Sequence, residues 1–257
     1  MTNEFVDTHC HVHFPDYELD ADQVIADAID AGVTRMIAVG CTLADSKLGV
    51  EMAARHKSTW ASVGIHPHEA KLYVENEKAL QELRNLANKP RVVAIGEIGL
   101  DYYYNHSSKQ EQAEMLRFQL NLAQVHNLPV IFHVRDAFDD FFAILDDFKT
   151  IRGVIHSFTA DTVTLDKCLN RGLYIGLNGI MTFTKDQNQL NAAKALPLNR
   201  LLLETDAPFL TPAPYRGTIC QPKHVVVTAE FLAKLKGITL EEIAVATTQN
   251  AKRLFNL

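Results

Sequence analysis

Hydrophobic and polar positions alternate along this chain in two periods that take turns almost from end to end. Short runs rich in β-branched and aliphatic residues read as strands. Between them lie stretches in which apolar residues recur every three or four positions, the pattern of a helix with one buried face. The spacing predicts strands over 5–9, 35–39, 60–64, 92–95, 129–132, 153–155, 173–176 and 201–204. It predicts helices over 22–30, 45–56, 76–87, 109–126, 137–148, 162–170 and 187–195. Val24, Ile25, Ala28 and Ile29 share one face of the first helix, and Gly32 marks its stop. A last helix is expected to start at a capping box of Thr239 and Glu242, with Ile238 and Ile243 placed as a hydrophobic staple.

Strand–helix units in series build a parallel sheet, because each helix returns the chain to the edge from which the next strand starts. Eight such strands predict an α/β fold, a (β/α)₈ barrel of the TIM type. No linker, repeat or charge run divides the sequence, so one domain over 1–257 is expected. The competing architecture is an open doubly wound sheet, but no Gly-rich phosphate loop follows the first strand.

Composition narrows the class without changing it. A chain of 257 residues buries roughly three-quarters of its unfolded surface and needs neither disulfides nor metal to hold a core. The formal charge of −6, from 25 basic and 31 acidic residues, argues against a protein that coats DNA through general phosphate neutralisation. A small, locally charged pocket remains open. Cys10, Cys41, Cys168 and Cys220 form no C-x-x-C pair, which suits a reducing compartment and argues against a zinc knuckle or redox motif. No apolar run approaches the ~18–20 residues of a membrane span. The N-terminus lacks a basic segment followed by an apolar core. A cytoplasmic monomer with no membrane contact and no obligate protein partner is expected.

The chemistry lies at the ends of the predicted strands. His9 and His11 close the first, His66 and His68 follow the third, and Glu97 follows the fourth. His133 ends the fifth, His156 ends the sixth, and Glu204 and Asp206 come at the eighth. In a (β/α)₈ barrel these ends converge on the mouth that carries the active site. His-x-His on a strand puts both imidazoles on one face, with Cys10 turned away. The set of His9, His11, Glu97, His133, His156 and Asp206 is expected to bind divalent metal, and its N and O donors suit Zn²⁺, Mn²⁺, Ni²⁺ or Mg²⁺. Six ligands exceed one tetrahedral shell, so two ions sharing Glu97 are expected. Two ions ~3.5–4 Å apart activate a water and neutralise phosphoryl charge. His66 and His68 are assigned to substrate rather than metal, and Arg135 to an anionic group on the substrate rather than to Asp136. Asp7 is either a carboxylate orienting a ligand histidine or a polar strand residue. Tyr102, Tyr103 and Tyr104 either stack on bases or form a structural aromatic loop. His56, His106, His126 and His224 read as structural.

Six segments together resemble the TatD family of metal-dependent hydrolases over essentially the whole chain. They are Asp7-Thr8-His9-Cys10-His11, Gly64-Ile65-His66-Pro67-His68, Gly96-Glu97-Ile98-Gly99-Leu100-Asp101, Phe132-His133-Val134-Arg135-Asp136-Ala137, His156-Ser157-Phe158 and Glu204-Thr205-Asp206-Ala207-Pro208. The resemblance implies a (β/α)₈ barrel, metal ligands at the six positions already named, and deoxyribonuclease activity, exonucleolytic in some members and usually with Mg²⁺. Two departures stand out. Val12-His13 replaces the usual Leu-Asp, so that His13 either adds a ligand or alters the rim. Gln221 stands where the family tends to have Glu in an Asn-Glu-Pro segment.

The expectation is a deoxyribonuclease acting on DNA through metal-activated water. Asp206 takes the proton, Glu97 shares the metals, and His66, His68, Arg135 and Glu204 contact the substrate or orient the water. The same donors serve an amidase, lactonase or deacylase, including ester cleavage on aminoacyl-tRNA. A non-catalytic metal-binding scaffold is the alternative of another class.

Overall fold

The structure is a computed structural model and describes residues 3–257. Strands and helices alternate as β1 (Phe5–Cys10), α1 (Ala21–Asp30), β2 (Val33–Val39), α2 (Leu43–Arg55), β3 (Thr59–Val63), α3 (Glu77–Ala87), β4 (Val92–Asp101), α4 (Lys109–His126) and β5 (Val130–Arg135). There follow α5 (Phe138–Asp146), β6 (Gly153–Ile155), α6 (Thr162–Asn170), β7 (Tyr174–Leu177), α7 (Gln187–Ala195), β8 (Leu201–Leu203), α8 (Val225–Lys236) and α9 (Leu240–Phe255). Side chains of Asp20, Thr42, Asn76, Ser108, Asp161, Asp186 and Thr239 accept from the first free backbone N–H groups of their helices. Thr239 and Glu242 form the expected capping box, and Ser108 with Glu111 forms another.

The strands form one sheet in the order β1 to β8. The pairs β3–β4, β4–β5, β5–β6 and β7–β8 are parallel. Past β8 the chain runs beside β1: Asp206 N–H donates to the His9 carbonyl at 2.8 Å and His11 N–H to the Ala207 carbonyl at 2.6 Å. A parallel bridge joins Cys10 to Ala207. Among the described residues, no helix is long and apolar enough to cross a membrane.

Packing divides the chain into two compact units. The contiguous unit, Ala38–His156, buries Val63, Leu83, Ile95, Ile98, Leu100, Leu120, Phe132 and Phe141. The discontinuous unit, Met1–Ile37 with Ser157–Leu257, buries Met36, Ile175, Leu202, Val225, Leu232, Ile243 and Phe255.

Three elements differ from the sequence expectation. Helix α8 was not anticipated, because Val225-Val226-Val227 is strand-favouring by composition. Its buried positions Val225, Thr228, Ala229, Leu232 and Ala233 nevertheless keep helical spacing, and packing of that face overrides propensity. Strands β4 and β5 run on beyond 95 and 132. After a register shift between Ile95 and Ile98, Gly99, Leu100 and Asp101 pair with His133, Val134 and Arg135. Glycine makes this approach possible: at Gly99 φ is +153°, and a Cβ would lie 1.8 Å from the His133 carbonyl oxygen. Glu97 therefore lies inside its strand rather than after it, and His133 is followed by two further strand residues.

Candidate functional site

In the contiguous unit, four imidazoles gather on two carboxylates. Around Glu97 Oε1 lie His133 Nδ1 at 2.9 Å, His66 Nε2 at 3.6 Å and His156 Nε2 at 3.9 Å. The other nitrogen of His133, Nε2, is 3.0 Å from Asp101 Oδ2, which also meets His68 Nε2 at 2.9 Å. Asp101 Oδ1 accepts from the backbone N–H groups of Tyr103 and Tyr104. Burial pulls the His133 pKa down, but the hydrogen bonds to Asp101 and then Glu97 outweigh it, and the pKa is raised. Asp101 behaves in the complementary way. Burial alone would raise its pKa, yet His133, the Tyr104 N–H and His68 hold it well below the usual carboxylate range.

These contacts assign ring nitrogens to tasks. His133 Nε2 is committed to Asp101, which leaves Nδ1, beside Glu97, as its ligand atom. His66 Nδ1 accepts from the His68 N–H at 3.2 Å, so the neutral ring carries its proton on Nε2. Burial, and after it the neighbouring His133, keep the His66 pKa well below the ordinary imidazole value. In this tautomer His66 presents its Nε2–H as a donor. The spatial group of His66, His68 and His133, with ring nitrogens within 4.8 Å of one another, is a carboxylate-held array. Within this unit, His133 Nδ1 and His156 Nε2 both approach Glu97 Oε1, nitrogen and oxygen donors of the kind that suit a divalent cation.

In the discontinuous unit, His9, His11 and Asp206 bring one ligand atom each within 4.8 Å of one another. His9 Nε2 and His11 Nε2 face each other at 3.0 Å, and Asp206 Oδ1 lies 3.5 and 3.3 Å from them. This is again two nitrogens and a carboxylate, a set that suits Zn²⁺, Mn²⁺, Ni²⁺ or, with waters completing the shell, Mg²⁺. Asp206 sits at φ +63°, a conformation Asp tolerates better than most residues. Asp7 is buried beneath, its carboxyl accepting from the N–H groups of Thr205 and His9 and meeting Thr205 Oγ1 at 2.6 Å. Burial outweighs these bonds and pushes its pKa up to about 8. Of its two readings, the hydrogen bonds make Asp7 a backbone-positioning acid.

The structure also places residues that the sequence pattern left aside or assigned differently. Glu204, expected at the substrate, is 1% exposed. Its Oε1 accepts from Ser157 N–H at 2.7 Å and from Asn178 Nδ2 at 3.3 Å, so it fixes the segment after β6 instead. Gly176 leaves room for it, since a Cβ there would meet Glu204 Oε2 at 2.2 Å. Arg135 is exposed and stacks on Tyr103 and Tyr104. His13 is buried beside Phe14 and, among the described residues, belongs to none of the donor groups. Gln221 caps the short helical turn at Pro222–His224, where His224 Nδ1 accepts from its N–H. Two site residues were missed. Asp101 was visible only as the last letter of a motif, and its role needs β4 extended to be seen. The Cys41 thiol donates to Glu97 Oε2 at 3.7 Å; a position just past β2 was the available signal.

A family model described as TatD related DNase matches residues 6–256. The chain is 40% identical over 257 residues to a metal-dependent hydrolase, YcfH, of Escherichia coli K12, covering 98% of this chain and 96% of that one. It is 38% identical over 249 residues to the 3'-5' ssDNA/RNA exonuclease TatD of Erwinia tasmaniensis, covering 93% and 94%. The crystal structure of YJJV, a TatD homologue from Escherichia coli K12, superposes on all of both chains with a TM-score of 0.92 at 29% identity. The eight-stranded parallel sheet is accordingly that of a (β/α)₈ barrel, and the chain belongs to the TatD family of metal-dependent hydrolases.

Proposed function

We propose that the protein is a deoxyribonuclease that removes nucleotides from strand ends using two divalent cations. One cation is assigned to His9, His11 and Asp206, the other to Glu97, His133 and His156. The observation that carries the reading is that imidazole nitrogens meet a carboxylate twice, in the His9, His11 and Asp206 group and at Glu97 Oε1, which His133 and His156 approach, at the carboxyl ends of barrel strands, where this fold keeps its chemistry. The name of the Erwinia relative supports nucleic acid as substrate and cleavage from an end.

Bound divalent cations supply Lewis acidity to water and to the phosphoryl group. The chain's own residues do the rest. Asp206, the partly solvent-accessible carboxylate of its group, accepts the proton of the attacking water. His66, kept neutral by burial, donates its Nε2–H to a non-bridging phosphoryl oxygen. His68, held by Asp101, lines the same side. Asp101 fixes the ring plane of His133 and its Nδ1 lone pair.

The test is cleavage of end-labelled oligodeoxynucleotides by protein loaded in turn with Mg²⁺, Mn²⁺, Zn²⁺ and Ni²⁺, beside a panel of esters, lactones and amides. The expected result is stepwise shortening that a chelator abolishes and added metal restores. Intact DNA together with turnover of a carbonyl compound would replace this reading with a deacylase.

A further inference from the structure

Beside the Glu97 group, β4 and β5 continue past the ligand His133. Asp101 pairs with Arg135, and Tyr102 N–H donates to the Arg135 carbonyl at 3.0 Å. This pairing carries three tyrosines and an arginine to the surface two residues beyond a metal ligand. Tyr103 and Tyr104 are 57% and 50% exposed. The Arg135 guanidinium carbon lies 4.0 Å from the Tyr103 ring centroid and 4.9 Å from that of Tyr104. Among the described residues no carboxylate or carbonyl accepts from that guanidinium, Asp136 included. An arginine laid against aromatic rings with its donor edge unengaged is suited to an oxyanion.

The platform is fixed with respect to the metal ligand. One oxygen of Asp101 holds the N–H groups of Tyr103 and Tyr104, and the other holds His68 and His133. Ring contacts are continuous from His133 through His68 to Tyr104, with centroid separations of 6.1 and 5.4 Å. Tyr104 stacks in turn on His106. A purely structural aromatic loop would bury its rings, whereas these two face solvent. Lys109, over the Tyr102 ring at 3.9 Å, adds a second cation on a protein whose net charge is negative.

We infer that Tyr103, Tyr104 and Arg135 form a nucleotide subsite, Arg135 taking a backbone phosphate and the tyrosine rings stacking the adjoining base. The inference rests on the phosphodiesterase reading and adds the residues that discriminate substrates. Such stacking requires an unpaired base and is indifferent to which base it is.

The experiment compares a single-stranded oligodeoxynucleotide with a strand of equal length built from tetrahydrofuran abasic units. Tyr103→Ala/Tyr104→Ala is expected to raise KM about 10-fold or more on the base-bearing strand, with kcat and the abasic KM unchanged. Tyr103→Phe/Tyr104→Phe keeps the wild-type KM, and Arg135→Ala raises KM on both strands. Equal losses on the two strands in the alanine pair, or no loss on either, would overturn the subsite. Fluorescence anisotropy with the same strands separates this outcome from failure of the nuclease reading. If the wild type cleaves neither strand, the nuclease reading fails. The subsite still stands if the wild type binds the base-bearing strand more tightly and the alanine pair does not. Equal binding of both strands by the wild type overturns it.

Discussion

The two donor sets have the same formula and are held by different forces. In the contiguous unit, the imidazoles are positioned by charge. His133 is clasped between Glu97 and Asp101 and shares Asp101 with His68. The unit therefore contains its own counter-charge: the hydrogen bond between them raises the His133 pKa and lowers that of Asp101. In the discontinuous unit, positioning is done by the main chain. Asp206 and Ala207 are bonded to the backbone of His9 and His11, and the buried acid below them, Asp7, serves N–H groups and a hydroxyl. With its pKa near 8, Asp7 is mostly uncharged at neutral pH. The contrast teaches that a carboxylate near a metal ligand has no fixed job: its partners decide whether it supplies charge or geometry.

Substitutions can break this comparison. The largest effect is expected from Asp206→Ala, which removes the carboxylate proposed as both proton acceptor and ligand and should lower kcat on an oligonucleotide by about 10²–10⁴-fold. The fold should survive, as circular dichroism will show. Next comes Asp101→Asn, which uncouples His133 and His68. Calorimetric titration should find metal affinity reduced by about 10–100-fold. Because the His133 pKa is raised by Asp101 and Glu97 and a ligand imidazole must be neutral, the same titration should show affinity falling and proton release growing as pH is lowered.

Asp7→Asn is expected to behave in the opposite way to Asp101→Asn, sparing metal affinity. Because the folded pKa of Asp7 is raised from 3.8 to about 8, the unfolded chain loses that proton first. Its contribution to stability is full below about pH 4 and declines as pH rises towards 8. Thermal melts of the asparagine variant should lack that decline. The smallest effect is expected at His13, where both ring nitrogens are buried without a hydrogen-bond partner among the described residues. His13→Leu should stabilise by about 1–2 kcal/mol, read as a rise of a few degrees in Tm. Burial depresses its pKa from 6.5 to about 3, so the wild type loses stability as pH falls through that window and the variant does not.

The six candidate ligands were legible because an alternating strand fixes which residues share a face and a parallel sheet fixes which ends they share. His9, His11 and Asp206 meet as their spacing implied, and the start of α9 was readable from Thr239 and Glu242. What stayed hidden depended on contacts between elements. Asp101 acts through two rings and two N–H groups from three segments, and only the Gly99 approach to β5 brings it there. Glu204 looked reactive because it is acidic and beside Asp206, but local spacing does not report Ser157 and Asn178 as its partners. Helix α8 was obscured by three valines whose intrinsic preference opposes the packing that wins.

The way the chain is shared between the units also orders events during synthesis. Glu97, Asp101, His133 and His156 all belong to one uninterrupted stretch, so their grouping can be complete while the ribosome is still adding the second half. His9 and His11 emerge first yet meet Asp206 almost two hundred positions later. Until then a nascent chain exposes an imidazole pair without its acid. The earliest-made of these side chains are the last to be joined, and a polypeptide released before residue 206 lacks the carboxylate of the His9, His11 and Asp206 group.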